Sequence, residues 1–286
     1  MEAKLLDGKK LAKKILKNLK EEIKSLEKKP KLVLLQVGND LASSIYVKRK
    51  FLTSKKIGLD CELIQLDENT KQKDLDELIL KLNKDNLVDG IMVQLPLPAH
   101  LDSFRIQSLI DPIKDVDGFG PVNTGNLFLG KPKILPATPF GIIKLLEEYK
   151  LNLEGKTALV IGRSNIVGKP LALLLLEKNA TVIIAHSKTS NLFQLTKLAD
   201  FLFVAVGKPR FIDGTKIKEG AIVVDIGINK IIENGQKKIV GDVDFESAKK
   251  VASFISPVPG GVGPLTVACL LANTLLAYKI KHKLIK

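Results

Sequence analysis

The sequence contains no tryptophan and only two cysteines, two methionines, three histidines and three tyrosines in 286 residues. The two thiols, Cys61 and Cys269, lie far apart and fall in strand-like and helix-like patterns, which suits buried thiols in a reducing compartment rather than a disulfide framework. His100, His186 and His282 are scattered, with no cysteine or carboxylate at ligand spacing, so no metal centre is expected. Arginine is confined to Arg49, Arg105, Arg163 and Arg210. Apolar runs such as residues 171–176 fall far short of the ~20 residues that cross a bilayer. The lysine-rich N-terminus carries Glu21, Glu22 and Glu27 and lacks a signal-peptide cleavage site. A cytoplasmic protein without a membrane segment is expected.

What is present describes a globular chain: 45% hydrophobic and 27% charged residues, long enough for two domains with sizeable cores. The net charge of +14 is nearly all lysine, spread along every helical segment. A basic balance of this size raises nucleic-acid binding as a reading. It lacks an aromatic stacking platform or a basic reading helix, so a solvated lysine coat is preferred and no nucleic-acid partner is expected. Such a field attracts polyanionic small molecules.

The chain is organised around residues 157–187. Thr157–Ile161 is an apolar, β-branched run ending at Gly162; Gly168 opens the helical run LALLLLEK; Thr181–Ala185 is the next buried strand. A helix N-terminus facing the end of a parallel strand collects unpaired N–H groups and a positive dipole end, which favours a phosphate. Ser164 and Asn165 stand where a dinucleotide fingerprint places its second glycine, so the glycine spacing alone is weak. The second strand ends in His186, Ser187 and Lys188, where an NAD site places an acid against the ribose 2′-hydroxyl. With no acid there, and with Arg163, Ser187 and Lys188 able to meet an extra phosphate, NADP is expected over NAD.

Strands and helices alternate throughout, which predicts βαβ units and parallel sheets. Asp7 is expected to cap a helix bearing Leu11, Ile15, Leu19, Ile23 and Leu26. A strand follows at 32–37, then a helix, 41 to about 56, that Asp40 can cap and that carries Tyr46 and Lys50 one turn apart. Gly58 stops it. Further strands are expected at 61–66 and Gly90–Val93, with helices at 75–82 and Ser103–Leu109. Gln94, at a strand's carboxyl end, reads as a site residue or as a loop-capping amide. Asp115 and Asp117 read as turn formers in a charged turn. Thr138 before Pro139 reads as a helix start, and the domain boundary is placed there. In the second half, strands are expected at 201–206 and 221–226 and a hairpin at Asn234-Gly235. A stiff glycine-proline loop and a long apolar helix from Leu265 close the chain.

Five segments, YVKRK (46–50), VQLPLP (93–98), KDVDGF (114–119), GRSNIVGKP (162–170) and PVPGGVGP (257–264), occur in an order that resembles the bifunctional methylenetetrahydrofolate dehydrogenase/methenyltetrahydrofolate cyclohydrolase family, often called FolD. The resemblance covers essentially the whole chain. It implies an α/β protein of two domains, a catalytic domain at 1–138 on which the helix 265–286 packs back, and a Rossmann-type domain at 139–264, with the active site in the cleft between them. It also implies a catalytic set of Tyr46, Lys50, Gln94 and Asp117, and NADP contacts at Gly162, Arg163, Ser164, Ser187 and Ile228. Pro259, Gly260, Gly261, Val262 and Gly263 would line the folate and the nicotinamide. The implied chemistry is oxidation of 5,10-methylenetetrahydrofolate followed by hydrolysis to 10-formyltetrahydrofolate, in a homodimer of one-carbon metabolism acting on folates that can be polyglutamylated. Gly120 departs from the pattern, since many relatives carry histidine there. Without the resemblance, Lys50 reads as one more surface lysine. Another two-domain NADP dehydrogenase, for instance one acting on shikimate, a basic nucleic-acid protein on a Rossmann scaffold, or a family member with a single activity are the competing readings.

Overall fold

The computed structural model describes residues 2–233 and 235–285. The chain opens with β1 (Lys4–Leu5), α1 (Gly8–Ser25), β2 (Lys31–Val37), α2 (Leu41–Ile57), β3 (Asp60–Leu66), α3 (Gln72–Lys84), β4 (Gly90–Val93), α4 (Ser103–Leu109) and α5 (Pro121–Phe128). It continues through α6 (Ala137–Glu148), β5 (Thr157–Ile161), α7 (Gly168–Leu176), β6 (Thr181–Ala185), α8 (Leu192–Leu198), β7 (Phe201–Val204) and β8 (Ile222–Asp225). Last come β9 (Asn229–Glu233), β10 (Gln236–Val240), α9 (Phe245–Ala248), β11 (Phe254–Ile255) and α10 (Val262–Lys281).

Two compact units result, one of residues 1–12 with 138–266 and one of residues 13–137 with 267–286. The first differs from the expected division, which kept the N-terminal segment with the catalytic region. The reason is β1, which pairs in parallel with β11, Lys4 opposite Phe254 and Leu5 opposite Ile255. Two residues are too few to show a period of two in the sequence, so this strand carries no signal of its own.

The unit of 13–137 and 267–286 holds a three-stranded sheet in the order β3-β2-β4, all parallel. β2 is buried from Leu32 to Val37, as a central parallel strand covered on both faces must be. One face packs Val33 and Leu35 with Ile79, Ile91 and Ile106. α2 has both of its expected ends: the Asp40 side chain accepts a hydrogen bond from Ser43 N, and Gly58 closes it at φ 93°. α10 is long and apolar enough to cross a membrane by length and composition, unlike the short runs noted above. Its apolar face is nevertheless internal, with Leu270, Leu271 and Leu275 buried, and Asn273 donates to the carbonyls of Val116 and Leu135 at 2.8 Å each.

The other unit is a six-stranded parallel sheet in the order β1-β11-β8-β7-β5-β6, with Leu159, Leu202, Val223 and Ile255 in its core. The reversal of order at β5 and β7 creates a switch point, where an open α/β sheet binds ligands. β9 and β10 form an antiparallel hairpin; Asn234 of the expected turn lies outside the described residues. Thr138 does not cap a helix as expected. α6 begins one residue earlier, at Ala137, so Thr138 lies within it and its hydroxyl is 2.9 Å from that of Thr266. Pro139 then sits in the first turn, where its missing N–H costs no helix bond.

Candidate active site

In the three-stranded unit, α2 turns Lys50 inward until only 7% of it is exposed. Its ammonium donates to Gln94 Oε1 at 3.1 Å and approaches Met92 Sδ at 3.7 Å. Gln94 follows directly on β4, and its own amide nitrogen donates to the Leu95 carbonyl at 2.5 Å, which fixes which end of the amide faces the lysine. The Leu95–Pro96 bond is cis. Burial lowers the Lys50 pKa, and the nearby Asp117 carboxylate only partly restores it. Burial pushes Asp117 the other way, up to about 6, against the attraction of Lys50 and with help from Asp115. For both groups, desolvation outweighs their mutual attraction. Tyr46 lies one helical turn before Lys50, half-buried, and burial raises its phenol above the usual value against the opposing effect of Arg49.

The charged turn separates its two carboxylates. Asp115 is buried and accepts from Gly118 N at 3.1 Å, Gly120 N at 2.8 Å and Asn123 Nδ2 at 2.9 Å. It is the turn former, as read. Asp117 is not: it stays partly exposed, and among the described residues its carboxylate accepts no hydrogen bond. Gly118 makes the reversal possible at φ 71°, where a Cβ would press against the Leu135–Pro136 backbone at 2.8 Å. Lys114 is structural as well, its ammonium capping the end of α3 through the carbonyls of Leu82, Asn83 and Asp85. At the departure noted above, a side chain on Gly120 would lie 3.0 Å from Asp115 Oδ2.

In the six-stranded unit, a cavity of about 250 Å³ opens at the carboxyl ends of β5, β6 and β7. Gly162, Arg163 and Ser187, three of the expected contacts, line it together with His186, Lys208 and Phe211. The β5–α7 turn is a tight cradle: a Cβ on Gly162, at φ 134°, would run into the Ala205 carbonyl oxygen, and one on Gly168 into that of Gly162. Ser164 is spent on the turn itself, its hydroxyl accepting from Val167 N and Gly168 N at 3.2 Å each. Among the described residues no carboxylate lines the cavity, whereas two cations, Arg163 and Lys208, do. The site therefore suits a nucleotide bearing an extra phosphate rather than a free ribose hydroxyl.

Ser164, Ile228 and the 259–263 loop lie outside that cavity's lining. Ile228 is exposed and its Cδ1 lies 3.5 Å from where a Cβ on Gly263 would be. The loop is tied down by Gly261 N donating to Pro257 O at 2.7 Å and by Lys9 N donating to Gly260 O at 2.8 Å, and its Val258–Pro259 bond is cis. Sequence reasoning missed Met92, Lys208 and Phe211. Lys208 follows the carboxyl end of β7, so the rule that ligands gather there would have singled it out.

A parallel sheet with a glycine cradle and a cationic nucleotide cavity, joined in one chain to a unit bearing a buried amine of lowered pKa, defines an NADP-dependent α/β enzyme. Comparison with known proteins is more specific. Residues 6–117 match the family model described as tetrahydrofolate dehydrogenase/cyclohydrolase, catalytic domain, and residues 136–282 match the NAD(P)-binding domain of the same family. The "Bifunctional protein FolD" of Acetivibrio thermocellus is 53% identical, over 99% of this chain and 100% of its own length. The bifunctional FolD enzyme of Campylobacter jejuni superposes with a TM-score of 0.94 at 48% identity, covering 97% of this chain and 99% of that one. The Trypanosoma brucei dehydrogenase-cyclohydrolase, solved with NADP cofactor and inhibitor, gives 0.95 at 36% identity over 99% of both chains. The chain belongs to the tetrahydrofolate dehydrogenase/cyclohydrolase family.

Proposed function

We infer that this chain is a bifunctional enzyme of one-carbon metabolism, oxidising 5,10-methylenetetrahydrofolate to the 5,10-methenyl cation with NADP and hydrolysing that cation to 10-formyltetrahydrofolate. The observation that carries the reading is the buried Lys50 amine, bonded to Gln94 and depressed in pKa, in a chain of this family. NADP, when bound, accepts the hydride of the first reaction. Gly162 and Gly168 let its phosphates approach the backbone at the start of α7, Arg163 and Ser187 meet the 2′-phosphate, and Ser164 holds the turn in shape. Ile228 and the loop of Pro259, Gly260, Gly261, Val262 and Gly263 flank the nicotinamide and the folate.

The second reaction needs a base that does not repel a cation. A lysine whose pKa burial lowers gives up its proton more readily than a surface lysine and can supply one. Lys50 takes a proton from the water that adds to the methenyl carbon and returns it to N5 as the C–N5 bond breaks, while the hydroxyl proton leaves to solvent as the formyl group forms. Gln94 Oε1 orients the amine throughout. Asp117, ionised above about pH 6, offers both oxygens to the amino and ring-nitrogen donors of the pterin. Tyr46 stacks on the aminobenzoate and limits the swing of Lys50. The lysine-rich surface suits a polyglutamate tail, and a homodimer, which sedimentation would detect, belongs to the same reading. The decisive experiment is a coupled assay of methenyl formation from methylenetetrahydrofolate and NADP and of its subsequent decay. Absence of either phase would remove the corresponding half of the assignment.

A further inference from the structure

One wall of the nucleotide cavity is held by a residue that none of the five motifs contains. Asp242 is 0% exposed, and both oxygens of its carboxylate are saturated. Oδ2 accepts from Val206 N at 2.6 Å and Gly207 N at 2.9 Å. Oδ1 accepts from Lys208 N at 2.8 Å and Asn229 Nδ2 at 2.8 Å. The three backbone donors are consecutive residues just past β7, and Val206 and Lys208 line the cavity. A second buried carboxylate, Asp225 at the end of β8, holds the Asp242 segment in turn, accepting from Asp242 N at 3.0 Å and Val243 N at 2.9 Å. Space for the pair is reserved by glycine, since a Cβ on Gly227 would run into the Asp242 carboxylate and one on Gly241 into that of Asp225.

A loop past a strand end has no ladder partners, so its N–H groups are free to rotate unless something collects them. A buried carboxylate with four donors is an expensive device unless all four are satisfied, and here they are. We propose that Asp242 is a positioning residue for nucleotide binding: its carboxylate fixes the backbone of Val206, Gly207 and Lys208 as one wall of the cavity and thereby sets the affinity for NADP. The proposal rests on the NADP reading above. An amide cannot substitute, because Asn has one oxygen and one NH₂, and whichever way it is turned one pair of donors faces another donor.

The test uses the full chain without nucleotide. In the Asp242→Asn variant the NADP dissociation constant by calorimetry should rise about tenfold or more, as the loss of charge-assisted bonds implies. Amide exchange at 206–208 should quicken by a similar factor, while hydrolysis of methenyltetrahydrofolate, which consumes no nucleotide, stays within about twofold. A folded variant that binds NADP like the parent overturns the proposal. So does one whose hydrolysis and thermal stability fall in step with affinity, because that reports general damage. Should Asp242→Asn fail to fold, Asn229→Ala decides: it removes one donor to the same carboxylate, and a two- to threefold weaker NADP affinity supports the proposal whereas parental affinity overturns it. If the parent protein itself does not bind NADP, the nucleotide reading falls and the proposal with it; if only the variants are indifferent, the proposal alone falls.

Discussion

Around Lys50 the titratable groups of the site, Lys50, Asp117 and Tyr46, are desolvated and depart from their ordinary pKa values; around the nucleotide cavity the cations stay in solvent, and backbone N–H groups and glycines give the site its shape. The contrast follows from what each site must do. Moving a proton at neutral pH needs an amine that can be neutral, which burial provides and exposure does not. Holding a polyanion needs the opposite, cations that never lose their charge and a backbone that comes close. The two units thus show one sheet type used for two purposes, with burial as the variable.

If the contrast is right, substitutions in the two units should separate cleanly. Lys50→Met should reduce hydrolysis of methenyltetrahydrofolate by about 10³-fold, within the range a positioned acid–base group supplies, with NADP affinity unchanged; near-parental hydrolysis in a stopped-flow assay would remove the amine from the chemistry. Asp117→Ala should weaken folate binding by about ten- to a hundredfold, the worth of charge-assisted hydrogen bonds, and spare NADP. Equal folate titrations for parent and variant would refute its role. Arg163→Ala should raise the KM for NADP by about tenfold while changing that for NAD little; equal effects would place the guanidinium away from the 2′-phosphate.

The last expected effect is on pH. Because burial raises Asp117 to about 6, its carboxylate is protonated as pH falls through that value, and folate affinity should decline there by up to about tenfold per pH unit, never by more than Asp117→Ala removes. The lowered Lys50 pKa works in the same direction: hydrolysis should rise with pH as the amine is deprotonated. Asp117→Asn should flatten the folate-binding limb near pH 6 and leave the lysine-controlled rise in place. A limb that survives that substitution belongs to another group.

Most of the architecture was legible because parallel strands buried on both faces are nearly continuous apolar runs. β2, β4 and β5 fall where their runs do; β6 does too, but as the edge strand it is only partly buried rather than the buried strand expected, and α2 has the two ends that Asp40 and Gly58 announce. β1, β11 and α5 were not legible: two residues show no period, and α5 is short, with no capping side chain at Gly120. Thr138 misled because a threonine–proline pair looks the same whether it precedes a helix or opens its first turn. At the site, the expected residues Lys50, Gln94, Gly162, Arg163 and Ser187 took structured places, whereas Lys208 and Asp242 were passed over. Lys208 was marked only by its place just past a strand's carboxyl end, and an aspartate in a strand-end turn has no local pattern that marks it.

Composition and periodicity alone determined that this would be a two-part α/β protein with parallel sheets, and five short segments determined its family. Both are local properties, written in spacings of a few residues. Which lysine is lowered in pKa, which of two neighbouring aspartates builds a turn and which does not, and which carboxylate gathers the strand-end amides depend on the burial and donors each group meets. Those neighbours come from segments distant in the chain, and desolvation is a property of the packed surroundings rather than of the residue, so only the tertiary structure could decide them.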